Sequence, residues 1–93
     1  MRFLVKITIP TAAENPIVSN PGFDDTLRAL YLELRAQATY SASQSRGRVD
    51  YILIDVEPAD MAAIARPIFE LLQVKVEFLQ EVTPQKSFGH VNT

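Results

Sequence analysis

The chain has 93 residues, 47% of them apolar and 22% charged, with a net charge of −2 and no cysteine. Without cysteine there are no disulfides, no thiolate catalysis and no cysteine-based metal site. The acidic balance argues against a nucleic-acid or anionic-membrane surface, which needs clustered Lys and Arg. A chain this short makes one domain over residues 1–93, with a thin core that association would reinforce. No stretch approaches the roughly 20 apolar residues of a membrane span. Arg2 and Lys6 interrupt the apolar residues at the start, where a secretory leader needs an unbroken run, so a cytoplasmic protein is expected.

Arg2–Ile9 alternates apolar Phe3, Val5, Ile7 and Ile9 with Arg2, Leu4, Lys6 and Thr8, the period of a strand with one strongly apolar face. Pro10 ends it, because proline cannot donate to a ladder. The loop Thr11–Asn20 is long and reads as a flexible flap over one end of the sheet. Phe23–Ala36 reads as a helix, with Asn20 or Asp24 as its cap and with Phe23, Leu27, Leu30, Tyr31 and Leu34 on one stripe. Asp24 and Asp25 suit the positive end of that helix, and Asp24 is expected to pair with Arg28 four residues on.

Ala38–Ser43 and Arg48–Val56 flank Gln44-Ser45-Arg46-Gly47, a hairpin signal in which glycine supplies positive φ. A two-residue and a four-residue loop give the same parity, with Tyr40 and Ala42 on the face of Val49, Tyr51 and Leu53, opposite Ile52, Ile54 and Val56. Ala59–Leu72 reads as a second helix, started by Pro58, with Met61, Ile64, Ile68 and Leu71 turned inward, helped by Ala65 and Leu72. Pro67 predicts a kink or break near Arg66. Val74–Val82 is the last strand, with Val74, Val76, Phe78 and Val82 on one face and Lys75, Glu77, Leu79 and Glu81 on the other. Residues 83–93 form a polar tail.

The order β-α-β-β-α-β, with right-handed crossovers, predicts an α+β, ferredoxin-like fold: a four-stranded antiparallel sheet in the order 4-1-3-2 with both helices on one face. The helix-facing set is Phe3, Val5, Ile7, Ile52, Ile54, Val56, Val74, Val76 and Phe78. The open face then displays Leu4, Lys6, Tyr40, Val49, Tyr51, Leu53, Lys75, Glu77 and Leu79, an apolar patch larger than a monomer usually leaves in water. Two such faces stacked about a two-fold axis would hide the patch and enclose an amphipathic cavity, so a homodimer is expected.

Met1-Arg2-Phe3-Leu4-Val5-Lys6-Ile7-Thr8-Ile9-Pro10-Thr11, Ala38-Thr39-Tyr40-Ser41-Ala42 and Arg66-Pro67-Ile68-Phe69-Glu70-Leu71-Leu72, leading to Val76-Glu77-Phe78, resemble small bacterial proteins of the dimeric α+β barrel superfamily. That group is similar in fold to muconolactone isomerases and to cofactor-free antibiotic-biosynthesis monooxygenases. The resemblance implies a dimer and a small organic ligand. It transfers no catalytic residue, because the group shares no catalytic signature.

Lys6, Tyr40, Tyr51 and Glu77 form the first candidate site, since all four should point from the open face into a dimer cavity. A lysine or carboxylate beside a tyrosine can polarise or deprotonate a small carbonyl compound, while the plain structural alternative is an interfacial ion pair with two packing aromatics. His90, the one histidine, is a weaker candidate in a tail flanked by Gly89 and Asn92. Arg46 and Arg48, beside Ser43 and Ser45, read as solvated turn charges that could also hold an anion. Asp and Glu lack metal-site spacing, so no metal is expected, and no phosphate loop, HExxH or nucleophile elbow implies a cofactor. Three functions compete: a small-ligand protein working without a cofactor, a non-catalytic assembly or protein-interaction module, and an RNA-binding sheet. The last is disfavoured by the negative charge and the absence of a basic aromatic motif.

Overall fold

A computed structural model of the chain describes residues 1–83. The elements are β1 (Arg2–Ile9), α1 (Phe23–Glu33), β2 (Ala38–Gln44), β3 (Gly47–Asp55), α2 (Met61–Leu72) and β4 (Lys75–Glu81). Short 3-10 turns over Pro16–Ser19 and Pro58–Asp60 precede the two helices. The sheet is antiparallel in the order β2-β3-β1-β4, the predicted order read from the other edge, and the topology is the ferredoxin-like one. The predicted strands lie within one residue of the observed ones at each end.

Both helices pack on one face. Phe23, Leu27 and Tyr31 of α1 join Ile68 and Leu72 of α2, and they close over Val5, Ile7, Ile9, Ile52, Ile54, Val56 and Val74. Phe3, Val76 and Phe78 border this core, with the rings of Phe3 and Phe78 meeting edge-on at 6.4 Å. All nine residues assigned from sequence to the helix side lie there.

Four local expectations change. Neither Asn20 nor Asp24 caps α1 with its side chain; Gly22 holds the cap position, and the backbone N–H of Phe23 donates to the carbonyl of Asn20 at 3.0 Å. The helix also stops early. Arg35 takes φ 56, its N–H donates to Leu32 O, and the N–H of Ala36 returns to Tyr31 O, each at 3.0 Å, which closes a Schellman turn without glycine. Helical turns continue through Pro67, because the carbonyl it leaves without a donor belongs to Ala63, which faces solvent. Leu71 is 58% exposed at the margin of the α2 stripe, whereas its neighbour Leu72 is buried as expected.

A fifth change concerns the loop after β1, which is tied down. Asn15 is buried, and its Nδ2 donates to the carbonyls of Leu72 at 3.1 Å and Gln73 at 3.0 Å. These oxygens belong to the end of α2, where helical carbonyls lack internal partners. Its Oδ1 meanwhile accepts the N–H of Ile17 at 3.2 Å.

On β4 the register slips between Leu4 and Val5: Val5 faces Phe78 but Leu4 faces Gln80. Leu79 is therefore the extra residue of a bulge, and Glu81 comes opposite Phe3 rather than joining Lys75 and Glu77 on the open face.

Gln44 pairs with Gly47, so the hairpin loop has two residues. Gly47 adopts φ +115, and a Cβ there would collide with the carbonyl oxygen of Ile9 and crowd Pro10. Gly47→Ala should lower unfolding stability by at least about 2 kcal/mol in denaturant titration, because backbone conformation and space both forbid the methyl. Unchanged stability would show that the β1 end does not approach the hairpin as described.

Candidate functional site

The strand registers align four predicted residues in one row. Tyr40 pairs with Tyr51, Tyr51 with Lys6, and Lys6 with Glu77, so the row crosses the sheet from β2 to β4. Neighbouring strands lie about 4.8 Å apart, so the row spans about 14 Å. Tyr40 and Tyr51 tilt together with ring centroids 6.4 Å apart. Tyr40, on the edge strand, is 66% exposed, whereas Tyr51, Lys6 and Glu77 are half-buried.

Lys6 and Glu77 do not pair with each other among the described residues. Glu77 Oε2 instead lies 3.9 Å from Lys75 Nζ, and Lys6 makes no ion pair among the described residues. One ammonium, two phenol hydroxyls and one carboxylate thus share a line. They can donate to an oxygen of a small molecule and accept a proton from it.

The rows on either side are Ala42–Val49–Thr8–Lys75 and Ala38–Leu53–Leu4–Gln80. Val49 is 1% exposed although it lies on the face away from the helices and outside their core. His90 lies outside the described residues.

A second cluster lies on the helix side, under α1. Asp50 stands on β3 in the same alternation as Ile52 and Ile54, and is 3% exposed. Tyr31 Oη donates to its Oδ2 at 2.6 Å, and Ser41 Oγ donates to its Oδ1 at 2.7 Å. Arg48 Nε lies 3.1 Å from the same Oδ1. That contact is an ion pair without a hydrogen bond: the buried Nε–H is not aimed at the oxygen and has no acceptor among the described residues. The far end of the guanidinium reaches Asp24 Oδ1 at 3.2 Å, across to the start of α1.

Arg48 is therefore no solvated turn charge, whereas Arg46, Ser43 and Ser45 are exposed. The expected Asp24–Arg28 pair is replaced, because Asp24 turns to Arg48 and Arg28 pairs with Asp25 at 3.3 Å. Burial, and then the hydrogen bond to Asp50, push the Tyr31 hydroxyl far above the ordinary tyrosine range, against a smaller opposing pull from Arg48.

Sequence reading placed Tyr31 in an apolar stripe and passed over Asp50 and Ser41. Parity was the available signal. A charged residue two places before Ile52, on the face that must be buried, needs partners, and the facing strand and helix offer a serine and a tyrosine.

The groove over this cluster has a volume of about 430 Å³ and is walled by Leu27, Leu32 and Ala36 opposite Thr39, Ser41 and Arg48. A larger groove of about 690 Å³ runs between α2 and the β4 edge, past Ala62, Phe69 and Val76. Its ionisable residues are Arg66 and Lys75, so it offers no acid–base pair. Among the described residues no helix is long and apolar enough to cross a membrane. No family model matches the chain, and neither a curated protein nor a solved structure matches it.

Removing the Asp50 carboxylate takes away the shared acceptor of Tyr31 and Ser41 and the buried charge that faces Arg48. Asp50→Ala should therefore cost about 3 kcal/mol or more, and Tyr31→Phe about 1.5–3 kcal/mol, in denaturant unfolding. Because the raised Tyr31 pKa means that the unfolded chain loses this proton first, its stabilisation is complete below about pH 10, the ordinary tyrosine value, and drains away above it. Tyr31→Phe should delete a late tyrosinate component from an alkaline absorbance titration; an unaltered titration curve would contradict the assignment.

Proposed function

We propose that the chain works as a homodimer of the dimeric α+β barrel kind, a bacterial cytoplasmic protein that binds or converts a small organic ligand without a cofactor. The ligand sits between two helix-free sheet faces. The observation that carries this reading is the in-register row Tyr40–Tyr51–Lys6–Glu77, bordered by Leu4, Leu53 and Val49. Leu4, Leu53 and Tyr51, half-buried at the middle of a sheet face without helices, gain from being covered further. A second copy would cover them and leave the charged row lining the space between. Lys6, half-buried and free of intrachain ion pairs among the described residues, would there meet an oxygen of the ligand, with Glu77 as the proton acceptor and the two hydroxyls as donors.

A non-catalytic assembly module is the second reading. It is favoured by the contact of the Tyr40 and Tyr51 rings with each other, since packed aromatics are what a plain interface uses.

Tyr51→Glu should convert a wild-type particle of twice the 10.4 kDa chain mass into a less stable monomer on a sizing column. A variant still dimeric would place the interface elsewhere. Native mass spectrometry of the wild-type dimer separates the two functions. A small organic adduct lost in Lys6→Met supports the ligand reading, and a bare dimer with equal stability in Lys6→Met supports assembly alone.

A further inference from the structure

The groove between α1 and the β2–β3 hairpin lies on the opposite side of the sheet from the Lys6 row, and the proposed dimer leaves it unused. Its volume, about 430 Å³, suits a small molecule, since such sites run from about 300 to 1,000 Å³. Four charged residues line it, Asp24, Asp50, Arg28 and Arg48, and their charges cancel.

Asp50 already serves Tyr31, Ser41 and Arg48, so its role is to hold Arg48 in place. The reachable ends are Arg48 and Asp24, whose side chains are 34% and 64% exposed and whose pairing at 3.2 Å spans the groove. Beside this charged pair stand Leu27, Leu32 and Ala36, an apolar wall with no polar atom beyond the backbone.

The kind of ligand follows from what each insertion would leave unpaired. A lone carboxylate would take Arg48 only by breaking its pair with Asp24 and leaving that charge to water. A lone ammonium would take Asp24 and strand Arg48. A molecule carrying both charged groups on one carbon can open the pair and satisfy both ends, while an aliphatic side chain lies along the leucines. We propose that this groove binds a free α-amino acid with an aliphatic side chain, its carboxylate on Arg48 and its ammonium on Asp24.

The test is heteronuclear NMR titration of the full chain with L-leucine, with 4-methylpentanoate (carboxylate only) and with 3-methylbutylamine (ammonium only). L-Leucine should shift the amides of Tyr31, Ala36 and Ser41 at millimolar concentration or below, and each half-charged analogue should bind at least about tenfold more weakly. Asp24→Asn changes an exposed residue and should keep the fold, weaken L-leucine about tenfold and strengthen 4-methylpentanoate, which no longer has to break an ion pair. The proposal is overturned if L-leucine causes no shifts at these amides, if either analogue binds as well as L-leucine, or if Asp24→Asn binds L-leucine undiminished.

Discussion

Two helices cannot cover two faces of a four-stranded sheet, and most of what matters in this chain follows from that shortage. The crossovers between β1 and β2 and between β3 and β4 place α1 and α2 on the same side, where they bury the alternating residues of β1 and β3 together with Val74. The other side keeps the other half of the alternation. On most small sheets that half would be polar. Here the two central strands turn half-buried Leu4, Tyr51 and Leu53 to that side, around a Val49 already buried within the chain, and apolar residues so placed favour a partner. A second copy supplies one with the fewest assumptions, because identical faces are self-complementary about a two-fold axis.

The same sheet separates two kinds of polar chemistry. On the helix-free face, Lys6 and Glu77 lie on adjacent strands without pairing with each other; Glu77 pairs loosely with Lys75, and the Lys6 charge has no ion-pair partner among the described residues. Beneath α1, by contrast, every oxygen of Asp50 is engaged by tyrosine, serine or arginine. A buried carboxylate is tolerable only with that degree of satisfaction. It contributes less through stability than through position, since it fixes the one guanidinium that links the hairpin to the start of α1.

Much of this was legible from residues alone. Period-two alternation in β1 and β3 identifies both faces, and the parity of the Gln44–Gly47 turn puts Tyr40 beside Tyr51 whichever loop length holds. What escaped the sequence was decided by contacts distant in the chain. Asn15 looked like slack until the end of α2, some 57 residues away, supplied its acceptors. Asp24 was assigned to Arg28 by helical spacing, but Arg48 on β3 competes for it and wins, being held there by Asp50. The Leu79 bulge leaves no mark in a strand pattern, because Leu79 fits the alternation well; only pairing with β1 shows the slip. Pro67 erred in the other direction: a strong local rule gave way because the orphaned carbonyl faces water.

The central claim is that the uncovered side of the sheet is closed by an identical chain. Sedimentation equilibrium of the unmodified protein at micromolar concentration tests it most directly. The account predicts a particle of twice 10.4 kDa that persists on dilution through the micromolar range. A single species of 10.4 kDa at every concentration would contradict it.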